Sequence, residues 1–146
     1  MRITRSRLKS VAFMLIAHYV GDLHQPLHVG NGTDRGGNDV KVTWFGRATN
    51  LHAVWDSDLI DQEQLSFTEW ARWLSARRTP EQTRQWSDPN PATWIAESAA
   101  LRPTLYPLKP ELGYSYAWQH KALVEGRLGQ AGVRLAAYLN ALFAAR

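Results

Sequence analysis

The chain contains no cysteine. Disulfides and thiolate metal ligands are therefore excluded in any compartment, and a bound transition metal would have to be held by histidine and carboxylate. Nor does any apolar run approach the roughly 18 residues that span a bilayer, so no membrane-spanning helix is expected. Repeats and low-complexity tracts are also missing. What is left is an ordinary globular composition: 146 residues, 45% hydrophobic and 21% charged, enough for one core that buries roughly two thirds of the unfolded surface. The net charge of +4 is a poor nucleic-acid signal. Arg2, Arg5, Arg7 and Lys9 carry four of the seventeen basic residues, and from residue 10 onward thirteen bases face thirteen acids. A positive footprint confined to nine residues leaves the body of the domain neutral. Seven tryptophans fit either a heavily aromatic core or a stacking surface.

The N-terminal basic residues followed by Val11 to Ala17 imitate a secretory signal, but no clean small-x-small cleavage site follows, because Ala17 runs into His18 and Tyr19. The competing reading is a helix over roughly residues 4 to 24, with Leu8, Val11, Leu15 and Tyr19 at helical spacing and Pro26 ending it. Residues 30 to 38, rich in glycine and asparagine, form a loop. Val40, Val42 and Trp44 alternate with polar residues as a short strand, one arm of a hairpin. Asn50 caps a second helix running to about Ile60. Ser66-x-x-Glu69 is a capping box for a third helix ending before Pro80, and Asn90-Pro91 opens a fourth. Residues 102 to 112 read as an extended loop, and the last thirty as helix, broken near Gly129 or Gly132. The expected fold is mainly α with a Gly-rich loop and a small β excursion.

Chemistry concentrates in one region. Four of the five histidines lie within 35 residues. His18-x-x-x-Asp22 and His52-x-x-x-Asp56 each stack an imidazole over a carboxylate on one helix face, and His28 stands between the pairs. Catalytic zinc takes three nitrogen or oxygen ligands and keeps a position open for water; His28, His52 and Asp56 meet that count. A single such pair is ordinarily an exposed ion pair or a hydrogen-bonded core histidine. Two pairs and an intervening histidine weigh toward metal, and ligation would relieve the cost of polar His18 in an apolar helix.

His18-Tyr19-Val20-Gly21-Asp22-x-His24-Gln25-Pro26-Leu27-His28, Asp34-Arg35-Gly36-Gly37-Asn38-Asp39 and Asn50-Leu51-His52-Ala53-Val54-Trp55-Asp56, in that order, resemble the signature of the S1/P1 nuclease family, whose distant relatives include zinc-dependent phospholipases C. Weaker similarity continues through Trp94-Ile95-Ala96-Glu97-Ser98 and Ala131 to Ala136. The resemblance implies a mainly helical, multi-helix phospholipase C/P1 nuclease-like fold, three clustered zinc ions, secretion or periplasmic export, and hydrolysis of single-stranded DNA or RNA and of 3′-nucleotides. Residue by residue, His28, His52 and Asp56 match the three ligands of the zinc that stands apart. His18 and Asp22 match two of four ligands of a second zinc, with Asp22 the catalytic carboxylate that also bridges toward the third. The family's upstream ligands have no counterpart here, so residues 1–146 are expected to form the C-terminal part of such a domain, with one complete zinc site and one partial site. Impaired activity and an exposed apolar face prone to self-association follow as expectations. The alternatives are a phospholipase C on the same scaffold and a non-catalytic metal-binding remnant.

Other residues read less sharply. Asn38 and Asn50 are candidate substrate contacts, Asn50 being a helix cap first. His24 is expected to be structural or to support a ligand, and His120 to lie on the surface. Glycine amides of residues 34 to 38 could meet a phosphate or simply turn the chain. Tyr19, Trp44 and Phe45 could stack a base or fill the core.

Overall fold

A computed structural model of the chain describes residues 5–144. The fold is mainly α. Helix α1 (Arg5–His24) leads through a single turn of 3-10 helix (Pro26–His28) into the glycine-rich loop. A hairpin follows, strands β1 (Lys41–Trp44) and β2 (Arg47–Asn50) pairing antiparallel with Lys41 opposite Asn50 and Trp44 opposite Arg47. Its two turn residues, Phe45 and Gly46, both have positive φ, the requirement for a two-residue hairpin loop that follows the sheet twist. Short helices α2 (Leu51–Ala53) and α3 (Leu59–Asp61) flank a wider π turn, Val54–Asp58. Then come α4 (Phe67–Arg77), α5 (Pro80–Trp86), α6 (Pro91–Leu101), strand β3 (Glu111–Leu112) beside β1 in parallel register, and the long α7 (Tyr114–Ala144).

Helix α7 is the spine, packing against α1, α3, α4 and α5, while α6 lies on α1. The core gathers Leu27, Leu51, Val54, Trp55, Leu105, Tyr116 and Val124 around it. Within it the Trp55 indole N–H donates to the Tyr116 hydroxyl (2.8 Å), which donates to the Leu105 carbonyl (2.5 Å). Buried polar groups so satisfied avoid the desolvation cost of an orphan donor. Most of the tryptophans serve the core. Trp44, Trp55, Trp70 and Trp94 are buried, whereas Trp118 is exposed.

Several expectations need correction. Helix α7 runs unbroken through Gly129 and Gly132; a Cβ at Gly129 would lie 3.1 Å from the Trp86 ring, so this glycine permits close packing rather than a break. His120 is buried, not superficial, and its ring packs on Trp55 and Tyr116. Residues 102 to 112 are not simply extended, since Arg102–Leu105 is a 3-10 turn and Glu111–Leu112 joins the sheet. Helix α5 was not anticipated.

Along α1, Leu8, Val11, Phe13, Met14, Leu15 and Tyr19 are all exposed, an apolar surface in line with the expected uncovered face. Arg2 lies outside the described residues. No described helix is long and apolar enough to cross a membrane.

Candidate metal centre

The predicted trio converges. One ligand-type atom from each of His28, His52 and Asp56 lies within 4.8 Å of the others, and among the described residues this is the group of three or more such side chains able to hold a metal ion. Three local structures bring them together. Buried Pro26 and Leu27 anchor the turn that projects His28 outward. Asn50 caps α2, its side-chain oxygen accepting from the Ala53 N–H (2.9 Å), and so starts the helix that carries His52. The π turn then swings Asp56 toward both rings, a use of π geometry common at functional sites.

The contacts read as a ligand set. The Asp56 carboxylate lies between the imidazoles, Oδ1 3.0 Å from His28 Nε2 and Oδ2 3.1 Å from His52 Nε2. The two rings stack with centroids 5.1 Å apart. Each histidine is held from its other nitrogen: His52 Nδ1 is 2.7 Å from the Gly36 carbonyl, and His28 Nδ1 is 3.4 Å from Asp22 Oδ1. A carbonyl can only accept, so His52 Nδ1 donates there, and in the neutral ring its Nε2 presents a lone pair to Asp56 Oδ2, acceptor against acceptor. One metal ion bound by all three side chains would relieve that opposition. Nδ1 held by an oxygen acceptor with Nε2 turned inward is the usual arrangement around zinc-binding histidine, and two histidines with one carboxylate suit a zinc that keeps an open position.

Sequence reasoning missed two contributors. Gln25 donates from Nε2 to Asp56 Oδ1 (2.8 Å) while its Oε1 accepts from the Leu27 N–H (2.6 Å), tying the His28 turn to the Asp56 carboxylate. Gly36 has φ +64°, and a Cβ there would come within 2.4 Å of the Leu27 carbonyl oxygen. Only glycine supplies both the left-handed backbone and the clearance. The adjacency of Gln25 to the His28 motif was a signal; the Gly36 carbonyl, being backbone, left none.

His18 and Asp22 form their own pair, Nε2 to Oδ2 at 3.2 Å, with His18 63% exposed. Asp22 thus touches both His18 and His28 through its two oxygens. A cavity of about 610 Å³ opens beside the trio, lined by Tyr19, Asp22, His28, Arg35, Gly36 and His52. Neither candidate substrate contact lines it. Asn38 donates its side-chain amide to the Arg35 carbonyl, and Asn50 is occupied as the cap. Asn50→Ala should accordingly lower stability by about 1 kcal/mol, while Asn50→Asp, an equally good cap, should restore it; denaturant melts of the two variants decide this. Trp44 is core, and Phe45 and Tyr19 are exposed.

His24 is a structural residue. It is 2% exposed, its Nδ1 meets the Val20 carbonyl (2.6 Å), and its Nε2 meets Arg134 Nη1 (3.1 Å). Burial pushes its pKa down to about 4, so it is neutral and accepts from the guanidinium. Around it Glu97 takes two hydrogen bonds from Arg134 and one from Arg127, and Arg127 also reaches the His24 carbonyl (3.0 Å). These contacts pin the end of α1, where Asp22 sits, to α6 and α7.

A profile of the S1/P1 nuclease family matches residues 2–144. The chain belongs to the S1/P1 nuclease family. Among its relatives, Endonuclease 4 of Arabidopsis thaliana is 34% identical over 158 residues, covering 92% of this chain and 51% of that protein. Endonuclease 2 of the same plant is 31% identical, covering 90% and 51%. Nuclease S1 of Aspergillus oryzae is 43% identical over 51 residues, covering 35% of this chain and 17% of that protein. The chain thus spans about half the length of the first two of these S1/P1 relatives. The mainly helical fold with its small sheet agrees with membership.

Proposed function

We propose that the chain is the C-terminal part of a zinc-dependent S1/P1-type phosphodiesterase, carrying the complete site His28, His52 and Asp56 and the partial site His18 and Asp22. The observation that carries this reading is the pair of Nε2 atoms facing one carboxylate, with the His52 Nδ1 held by the Gly36 carbonyl and the His28 Nδ1 beside Asp22. A zinc ion bound there would supply Lewis-acid charge for a phosphoryl oxygen and lower the pKa of bound water. The chain's own residues fix its geometry: Gln25 holds the Asp56 carboxylate, Gly36 the His52 ring, and Asp22 the His28 ring. The adjoining cavity, large enough for a nucleotide, is where single-stranded nucleic acid or a 3′-nucleotide would enter.

Three finer statements belong to the same proposal. The remaining ligands to the second and third zinc ions come from outside these 146 residues, so the chain alone is weakly active or inactive and the parent domain competent. The parent is secreted or periplasmic. The exposed apolar face of α1 is covered by another polypeptide surface, and in isolation the chain self-associates, which a monodisperse monomer in sedimentation would refute.

The test is zinc titration into chelator-stripped protein, followed by hydrolysis assays. One equivalent is expected to bind at the trio, and free zinc at 100 times its Kd should raise stability by about 2.7 kcal/mol. With the missing ligands restored on a longer chain, a dinucleotide should be cleaved and a choline phospholipid left intact. The reverse preference would make the scaffold a phospholipase C; zinc binding with no hydrolysis would make it a non-catalytic metal-binding domain; no zinc binding would end the reading.

A further inference from the structure

The Gly36 carbonyl that holds His52 belongs to a turn with an unusual backbone. Arg35, Gly36 and Gly37 are three successive residues at positive φ (53°, 64° and 82°). For arginine this left-handed conformation is unfavourable, and strained backbone persists where its surroundings over-determine it. Here Asp34 is the hub. Its Oδ1 accepts from the Gly37 N–H (3.1 Å), its main-chain carbonyl accepts from the Asp39 N–H (3.2 Å), and its Oδ2 accepts from the Tyr106 hydroxyl (2.5 Å). Tyr106 is itself well anchored. It follows Leu105, which is fully buried, and Arg102 of the same segment donates to the Val29 carbonyl (2.6 Å) at the head of the loop. Tyr106, 54 positions after His52, therefore braces the turn that orients that histidine.

We propose that Tyr106 and Asp34 are positioning residues for His52: together they hold the left-handed turn so that the Gly36 carbonyl fixes the Nδ1-protonated tautomer and leaves Nε2 free to face Asp56. The inference rests on the metal-centre reading for its consequence, tighter zinc binding, but the tautomer follows from the hydrogen bonds alone. Burial and the Asp34 carboxylate push the Tyr106 phenol up to about 12, so it remains a donor throughout the working pH range. The hydrogen bond from Tyr106 in turn keeps the Asp34 carboxyl below its ordinary range.

Tyr106→Phe removes the donor and keeps the ring. Two measurements on the full chain test it. In the chelator-stripped protein, nitrogen-15 signals of the imidazoles report the tautomer of each histidine. The variant should shift His52 from one tautomer toward a mixture while leaving His28, held by Asp22, unchanged. Zinc titration should show affinity weakened about 10-fold or more, the range for loss of a group that orients a metal ligand. Should Tyr106→Phe fail to fold, Asp34→Asn, which removes the charge and keeps the shape, carries the same two measurements. A folded variant whose His52 signals and zinc affinity match the unsubstituted protein overturns the proposal, even if it melts lower, because a purely structural tyrosine would do no more. If the unsubstituted chain binds no zinc yet His52 shifts in the metal-free variant, the positioning role stands and the metal-centre reading falls.

Discussion

Asp56→Ala should weaken zinc binding by well over 100-fold. Groups that merely orient a ligand contribute about 10- to 100-fold, and Asp56 is the carboxylate that both Nε2 atoms face, within 3.1 Å. Without it two imidazoles 5.1 Å apart remain, too few for a tight site. The same substitution in metal-free protein should have a second signature. Asp56 faces both Nε2 atoms, so with it gone the melting temperature of the chelator-stripped protein should no longer respond to added zinc. Asp56→Asn separates charge from shape, since it can still accept from Gln25 through its carbonyl oxygen while offering a neutral donor to the metal. Zinc titration of the three proteins, with thermal melts in chelator and in excess zinc, checks the prediction. Unchanged affinity in Asp56→Ala would remove the site.

How much of this centre was legible in the residues depends on which atoms do the work. Side-chain ligands at i and i+4 announce themselves through helical periodicity, and His52 with Asp56 did so even though a π turn intervenes between them. That His28 joins that pair was suggested by the count of ligands zinc needs and strengthened by the resemblance, because 24 positions and a glycine-rich loop separate His28 from His52 and no local rule closes that distance. Gly36 acts through its carbonyl, which every residue has, so nothing in its identity pointed to His52. Helix α5 was legible and missed, since Thr79-x-x-Gln82 with Pro80 at the first turn carries the same capping signal as Ser66-x-x-Glu69. His120 was misplaced because its distance in sequence from the other histidines was weighed and its helical neighbours were not. Its spacing from Tyr116 and Val124, each four positions away and both buried, put it on the inward face of α7. The expected break at Gly129 failed for a related reason: helix propensity is a weak prior, and close contact with Trp86 overrides it.

The weaker motifs near the end of the chain acquire a physical meaning from the structure, and with it a second large expected effect. Trp94 to Ser98 and Ala131 to Ala136 meet at Glu97, which receives both forks of Arg134 and one arm of Arg127. The two arginines are only 2% and 5% exposed. Glu97→Gln leaves those two buried guanidinium groups facing a neutral amide, and breaking such a pairing costs about 3–5 kcal/mol. Partial exposure of the carboxylate, 34%, favours the lower end. That is a large part of the roughly 5–15 kcal/mol that holds a domain folded. The pH dependence has a definite sign. The arginine hydrogen bonds depress the Glu97 pKa from 4.5 to about 2, so its contribution is fully present above 4.5 and is lost as pH falls toward 2. His24, lowered by burial from 6.5 to about 4, acts in the same sense. It must be neutral in the folded state, and stability declines as pH drops below 6.5 and the unfolded chain takes up the proton first. Denaturant melts between pH 7 and pH 3 should therefore show falling stability in the native chain and a shallower fall in Glu97→Gln below pH 4.5, because the variant has no carboxylate whose advantage can be lost there. Parallel curves for the two proteins would mean that Glu97 is not what the arginines rely on, and that the end of α1 is held by something other than this ion cluster.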